Sequence, residues 1–135
     1  MVRAHYLKLI GGKTDAQLVE WANNLVGGGC PPIKDLKDKS MASCKFKIHM
    51  LAALEPRAVN WDLITEGETD EDKCQNAKYA MSIARRLGAI IFCVWEDFVN
   101  VNPKQMLIFF ATMNEIQAEM EEAKKSAWNL GHVSS

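Results

Sequence analysis

Residues 58–72 read AVNWDLITEGETDED, and the fold turns on what this stretch does. Three readings compete: a metal loop, a pair of catalytic carboxylates, or the start of a helix. With Asp62 as the first position of a twelve-residue calcium loop, Gly67 falls on the sixth and Glu66 on the fifth. The match then fails. Ile64 occupies the third position and offers no oxygen, and Lys73 occupies the twelfth, where a bidentate glutamate is required. A hydrolytic carboxylate pair needs two acids in different environments, one of them desolvated. A dense run of acids at one chain position provides neither. The helix reading accounts for more. The next segment opens at Thr69–Asp70, the acids from Glu68 to Asp72 favour the positive end of its dipole, and Arg85–Arg86 sit at its far end before Gly88. Within the loop, Trp61 is flanked by Val59, Leu63 and Ile64 and is expected to plug the core, while Asn60 and Asp62 satisfy backbone donors at a turn.

Outward from this stretch the chain reads as helices. TDAQLVEWANNLVGGG (14–29) places Thr14 and Gln17 at capping-box spacing, repeats Leu18, Trp21, Ala22 and Leu25 on one face, and ends in glycines. CPPIKDLKDKS (30–40) is a loop, broken by Pro31–Pro32. A second long helix is expected from Ser40 to Leu54, facing inward through Met41, Ile48 and Leu51 or through Phe46 and Met50. A third runs from Asp70 past Ala77, Ala80, Met81 and Ala84. AIIFCVWEDFVNV (89–101) is an apolar connection with one short helical turn near Glu96–Val99. Asn102 caps a fourth helix with Pro103 at its first position and a stripe of Met106, Phe109, Phe110, Met113, Ile116 and Met120. Beyond Glu121 a polar, frayed tail is expected, with Trp128 anchoring part of it. The fold class is therefore all-α.

The chain has 135 residues, 48% hydrophobic and 24% charged, with a formal net charge of −1. That length and composition fit one globular domain. Near-neutral charge argues against bulk attraction to nucleic acid or to an anionic membrane. Cys30, Cys44, Cys74 and Cys93 form no C-x-x-C pair, and His5, His49 and His132 are scattered. The expectation is free thiols, no metal and no cofactor. GGGCPP (27–32) lacks the Lys-Ser/Thr of a phosphate loop, and no serine lies in a G-x-S-x-G elbow. No enzyme chemistry is legible. The N-terminal apolar run is too short for a signal peptide or a membrane span, which makes the cytoplasm the expected compartment.

EPRAVNWDLITEGETDEDKCQNAKYAMSIARRLGA (55–89) resembles the fourth calponin homology domain of the fimbrin, or plastin, family. The likeness is carried by Asn76, Ala77, Tyr79 and the Ala84–Arg85–Arg86–Leu87–Gly88 ending. EDFVNVNPKQM (96–106) and LVEWANN (18–24) resemble further motifs of that family. Two departures stand out: Val94–Trp95 where the family has Leu-Pro, and Lys45 and Lys47 where it tends to be apolar. The resemblance implies a calponin homology fold of four main helices with short connecting helices. It would run over residues 14–120, with residues 1–13 as a linker helix from a preceding domain and 121–135 as a polar tail. VRAHYLKLIGG (2–12) would pack through Val2, Tyr6 and Leu9 on that neighbouring domain of the same polypeptide.

The functional expectation follows from the same resemblance. It is an actin-filament-binding module of the cytoplasmic actin cytoskeleton, the second half of a tandem unit in a filament-bundling protein. The family's use of the first helix carries over to Gln17, Glu20 and Asn24. Independently, Lys34, Lys37, Lys39, Lys45 and Lys47 concentrate positive charge that suits an acidic filament. A microtubule-binding domain and a regulatory or scaffold domain are the alternatives.

Overall fold

The computed structural model describes residues 13–91 and 93–133, with side chains described to residue 128. The expected linker helix, with Val2, Tyr6 and Leu9, lies outside the described residues. Five α-helices follow: α1 (Asp15–Val26), α2 (Lys45–Leu54), α3 (Asp70–Arg86), α4 (Trp95–Val99) and α5 (Pro103–Val133). Short 3-10 turns at Gly27–Gly29, Lys39–Ser43, Pro56–Ala58 and Trp61–Leu63 join them, and there is no strand among the described residues.

Local chemistry sets most helix starts. Thr14 Oγ1 accepts from Gln17 N at 3.1 Å while Gln17 Oε1 accepts from Thr14 N at 2.9 Å, a complete capping box on α1. Thr14→Ala is expected to cost about 1 kcal/mol, read as a lower urea midpoint at unchanged m-value. Thr69 Oγ1 accepts from Asp72 N at 3.0 Å at the start of α3, where three acids fill the first turn. Asn102 Oδ1 accepts from Lys104 N and Gln105 N at the start of α5.

α1 packs on α2 and α5, α2 on α3, α3 on α4, and α4 on α5. The core contains Leu18, Ile48, Leu51, Phe98, Phe110 and Met113, all fully buried. Phe109 meets Phe98 edge-on, with ring centroids 5.2 Å apart. Trp21 Nε1 donates to Gln117 Oε1 at 2.8 Å and ties α1 to α5.

Three expectations change. The second long helix does not start at Ser40. Residues 39–43 form a 3-10 turn, Cys44 enters the left-handed region at φ 65°, and the α-helix begins at Lys45. Cys44 is fully buried there and its Sγ donates to Ala42 O, so packing sustains a conformation that its side chain disfavours. Trp61 is not a core plug. It is 48% exposed and rests its ring on His49, centroids 4.7 Å apart. The frayed tail is also replaced by structure, because α5 continues through Val133 with Trp128 exposed on it.

Asn76 fastens the opening stretch at Thr65. Asn76 Nδ2 donates to Ser43 O at 2.9 Å and to Thr65 O at 3.2 Å, and its Oδ1 accepts from Thr65 N at 2.8 Å. Gly67 is buried at φ 75° against Ser43. Asn60 Oδ1 accepts from Asp62 N, the local turn bond expected of that pair.

Candidate functional site

The exposed edge of α1 and the loop after it form a groove of about 620 Å³. Asn23 builds it. Its Nδ2 donates to Ile33 O and its Oδ1 accepts from Ile33 N, both at 2.9 Å, so the loop is hydrogen-bonded to the helix. Ile33 and Leu36 then turn into the core and leave Lys34 and Lys37 outside. Asp38 closes the loop by accepting from Lys34 N at 2.8 Å and Ser40 N at 2.9 Å. Those backbone donors hold its carboxyl below the usual carboxylate range. Asp35 Oδ1 accepts from Lys37 N in the same way.

Four of the eight candidate side chains meet at this groove: Glu20, Asn24, Lys34 and Lys37. Gln17 is exposed on α1, but its carboxamide is committed to the capping box. The remaining lysines separate. Lys39 donates to Asn100 O at 3.1 Å, beyond the end of α4. Lys45 pairs with Glu66 at 3.3 Å, within the acidic loop; both side chains are solvated, so the pair adds little stability.

Lys47 requires a correction. It is not part of a surface patch: it is completely buried, and its ammonium donates to Met41 O at 3.1 Å and Phe98 O at 3.4 Å. It also lies 5.0 Å from the centre of the Phe98 ring. Burial pushes its pKa down, and only ionised Cys44 and Cys93 would oppose that. An apolar residue at this position is what the core geometry favours, which gives the departure from the family pattern a physical meaning. The lysine cluster is thus narrower than the sequence implied, with Lys34 and Lys37 at the groove beside Asp15, Glu20 and Asp35, and Lys39 beyond it.

Sequence reasoning missed Val19, Asn23 and Ile33 as groove-forming residues. Asn23 was legible only as a polar residue on a helix. Its role depends on a loop ten residues later folding back onto it. Burial raises the Cys30, Cys44 and Cys93 thiols above their usual pKa, which keeps them protonated. Among the described residues, no cluster of three or more His, Cys, Asp or Glu is placed to hold a metal, and no helix is long and apolar enough to cross a membrane.

Comparison with known proteins places this architecture. Residues 12–118 match the calponin homology (CH) domain model. Fimbrin-5 of Arabidopsis thaliana is 47% identical over 102 residues, covering 74% of this chain and 15% of that protein. Human plastin-3 is 34% identical over 122 residues, covering 84% of this chain and 19% of that protein. The chain therefore spans less than a fifth of these relatives. The crystal structure of the actin-crosslinking core of Schizosaccharomyces pombe fimbrin superposes with a TM-score of 0.76 at 34% identity, over 82% of this chain and 24% of that one. A helical body with this connectivity, matched by the family model over most of its length and by fimbrins in sequence and shape, belongs to the calponin homology domain family.

Proposed function

We propose that this domain binds actin filaments, as the second half of a tandem actin-binding unit in a fimbrin-like bundling protein. The observation that carries the reading is the shape and sequence match to an actin-crosslinking core. The groove between α1 and residues 33–37 supports it, because it gathers Glu20, Asn24, Lys34 and Lys37 on one accessible edge. Lys34 and Lys37 stand there among Asp15, Glu20 and Asp35, so the two ammonium groups offer an acidic filament local charge contacts rather than a net positive field. The role is non-catalytic: two such units on one polypeptide crosslink two filaments by binding alone. The working compartment in this reading is the cytoplasmic actin cytoskeleton, and the nearest partner is a neighbouring calponin homology domain of the same polypeptide.

The test is co-sedimentation of a two-domain protein with filaments. Lys34→Glu with Lys37→Glu is expected to weaken pelleting roughly tenfold at low salt, with a smaller loss at high salt. Unchanged pelleting by a variant with native helix content removes the groove from the interface. Pelleting with microtubules instead of actin would favour the tubulin-binding alternative. Pelleting with neither, combined with rescue of a partner domain, would favour the scaffold alternative.

A further inference from the structure

Charge in the α1 groove is divided between its two sides. On the helix side stand the exposed carboxylates of Asp15 and Glu20, and on the loop side the exposed ammonium groups of Lys34 and Lys37. Asp35 also lies on the loop side, where its Oδ1 accepts from Lys37 N at 2.8 Å. These charges do not satisfy one another. Among the described residues the ion pair within 4 Å is Lys45–Glu66, outside the groove.

Between its two sides the groove is apolar. Ala16 and Pro103 are exposed there, and the nearly buried Val19, Ile33 and Leu36 complete the lining. The loop backbone is fixed at both ends of this arrangement. Asn23 holds Ile33 through two bonds of 2.9 Å, and Asp38 accepts from Lys34 N at 2.8 Å. The surface is therefore preformed, and little ordering opposes binding.

The charges decide what such a surface can take. The lining carries three carboxylates, Asp15, Glu20 and Asp35, against the ammonium groups of Lys34 and Lys37, so overall attraction to an acidic filament is not its basis. Pairwise contacts of both signs are, together with apolar contact that salt does not screen. Resting on the filament-binding reading, we infer that the groove takes a segment of the filament subunit in which an apolar side chain stands between an acidic and a basic one. The apolar side chain enters beside Ala16 and Pro103, the carboxylate meets Lys34 and Lys37, and the base meets Glu20 and Asp15. Opposite signs on opposite sides admit this segment in one orientation and oppose the reverse, in which like charges would face each other. Glu20 is thereby a binding residue in its own right.

The experiment is co-sedimentation of the intact chain with purified actin filaments at low and high salt. Glu20→Lys is expected to weaken pelleting about fivefold at low salt, with a smaller loss at high salt. Attraction by overall charge gives the opposite result, because the substitution makes the groove more positive. Ala16→Gln leaves the charge unchanged and puts a polar side chain on the apolar strip. It is expected to weaken pelleting about threefold at both salt concentrations. Both residues are exposed, so circular dichroism and the urea midpoint should stay near the wild-type values. Unchanged or tighter pelleting by Glu20→Lys overturns the inference and leaves filament binding by the wild type standing. So does an Ala16→Gln variant that pellets like the wild type. A wild-type chain that does not pellet overturns the filament reading and the inference together.

Discussion

Gly67→Ala is expected to destabilise the domain by about 2–4 kcal/mol, through two causes that can be separated. The first is conformational. Gly67 sits at φ 75°, a region that costs a residue with a side chain on the order of 1–3 kcal/mol. The second is steric. A Cβ at this position would stand 2.6 Å from Ser43 Cβ and 3.2 Å from Ser43 Cα. Ser43 cannot retreat easily, because its carbonyl holds Asn76 and the next residue is the left-handed Cys44. Chemical denaturation should show a lower midpoint at unchanged m-value. Ser43→Gly in the Gly67→Ala background removes the closest contact and should recover the steric share alone. Recovery of nothing would show that the backbone conformation accounts for the whole effect, and no loss in the single variant would contradict the packing described.

Lys47→Met is expected to stabilise the domain by about 1–3 kcal/mol near neutral pH. Met41 O keeps its bond from Cys44 N at 2.9 Å, and Phe98 O keeps Val101 N at 3.3 Å, so neither carbonyl is orphaned when the ammonium goes. Methionine fills similar volume, leaving the desolvation of a charge as the main quantity removed. Lys47→Ala removes the same charge but leaves a void, and should fall about 2–4 kcal/mol below the methionine variant. The pH dependence has a definite sign. Burial lowers the folded pKa of Lys47 below its ordinary 10.5, so between those two values the unfolded chain binds more protons. Wild-type stability therefore gains from Lys47 as pH rises through that window, and below the folded pKa the penalty is full. Cys44 and Cys93, whose thiols are raised by burial, titrate with the opposite effect. The decisive curve is therefore methionine variant minus wild type, which should shrink as pH approaches 10.5. A flat difference would mean that Lys47 is not desolvated in the folded state.

Lys47, together with Trp61, also shows where the sequence stopped being readable. Helix starts were legible because their signals are local: Thr14 with Gln17 three residues on, the acidic first turn after Thr69, and Asn102 before Pro103. The inward stripe of α5 was legible because Met106, Phe109, Phe110, Met113 and Ile116 repeat with the helix. Trp61 and Lys47 were misplaced for the converse reason. Side-chain polarity assigned one inward and the other outward, whereas their positions are set by partners far along the chain. Trp61 lies over His49 and leaves an edge to solvent. Lys47 is enclosed by Phe98, and its ammonium reaches carbonyls on two different segments. The break at Cys44 had no local signature either, since glycine or asparagine would ordinarily mark a left-handed residue.

The candidate binding edge followed the same division. Exposure of Glu20 and Asn24 could be read from the periodicity of α1, and Lys34 and Lys37 from their position after two prolines. Their convergence could not, because it depends on Asn23 fastening Ile33 to the helix. The dispersal of Lys39 to Asn100 O, Lys45 to Glu66 and Lys47 to the Met41 and Phe98 carbonyls was likewise a tertiary outcome.

Asn76 gives the loop before α3 something that loops usually lack. Its carboxamide pairs with Thr65 through both N–H and C=O, the way a neighbouring strand would, and reaches on to Ser43 O. The amide proton of Thr65 is thereby shielded although it belongs to no helix or sheet. Its exchange with heavy water should be slow and governed by opening of α3, so a residue in irregular backbone would report the cooperative unfolding of the domain.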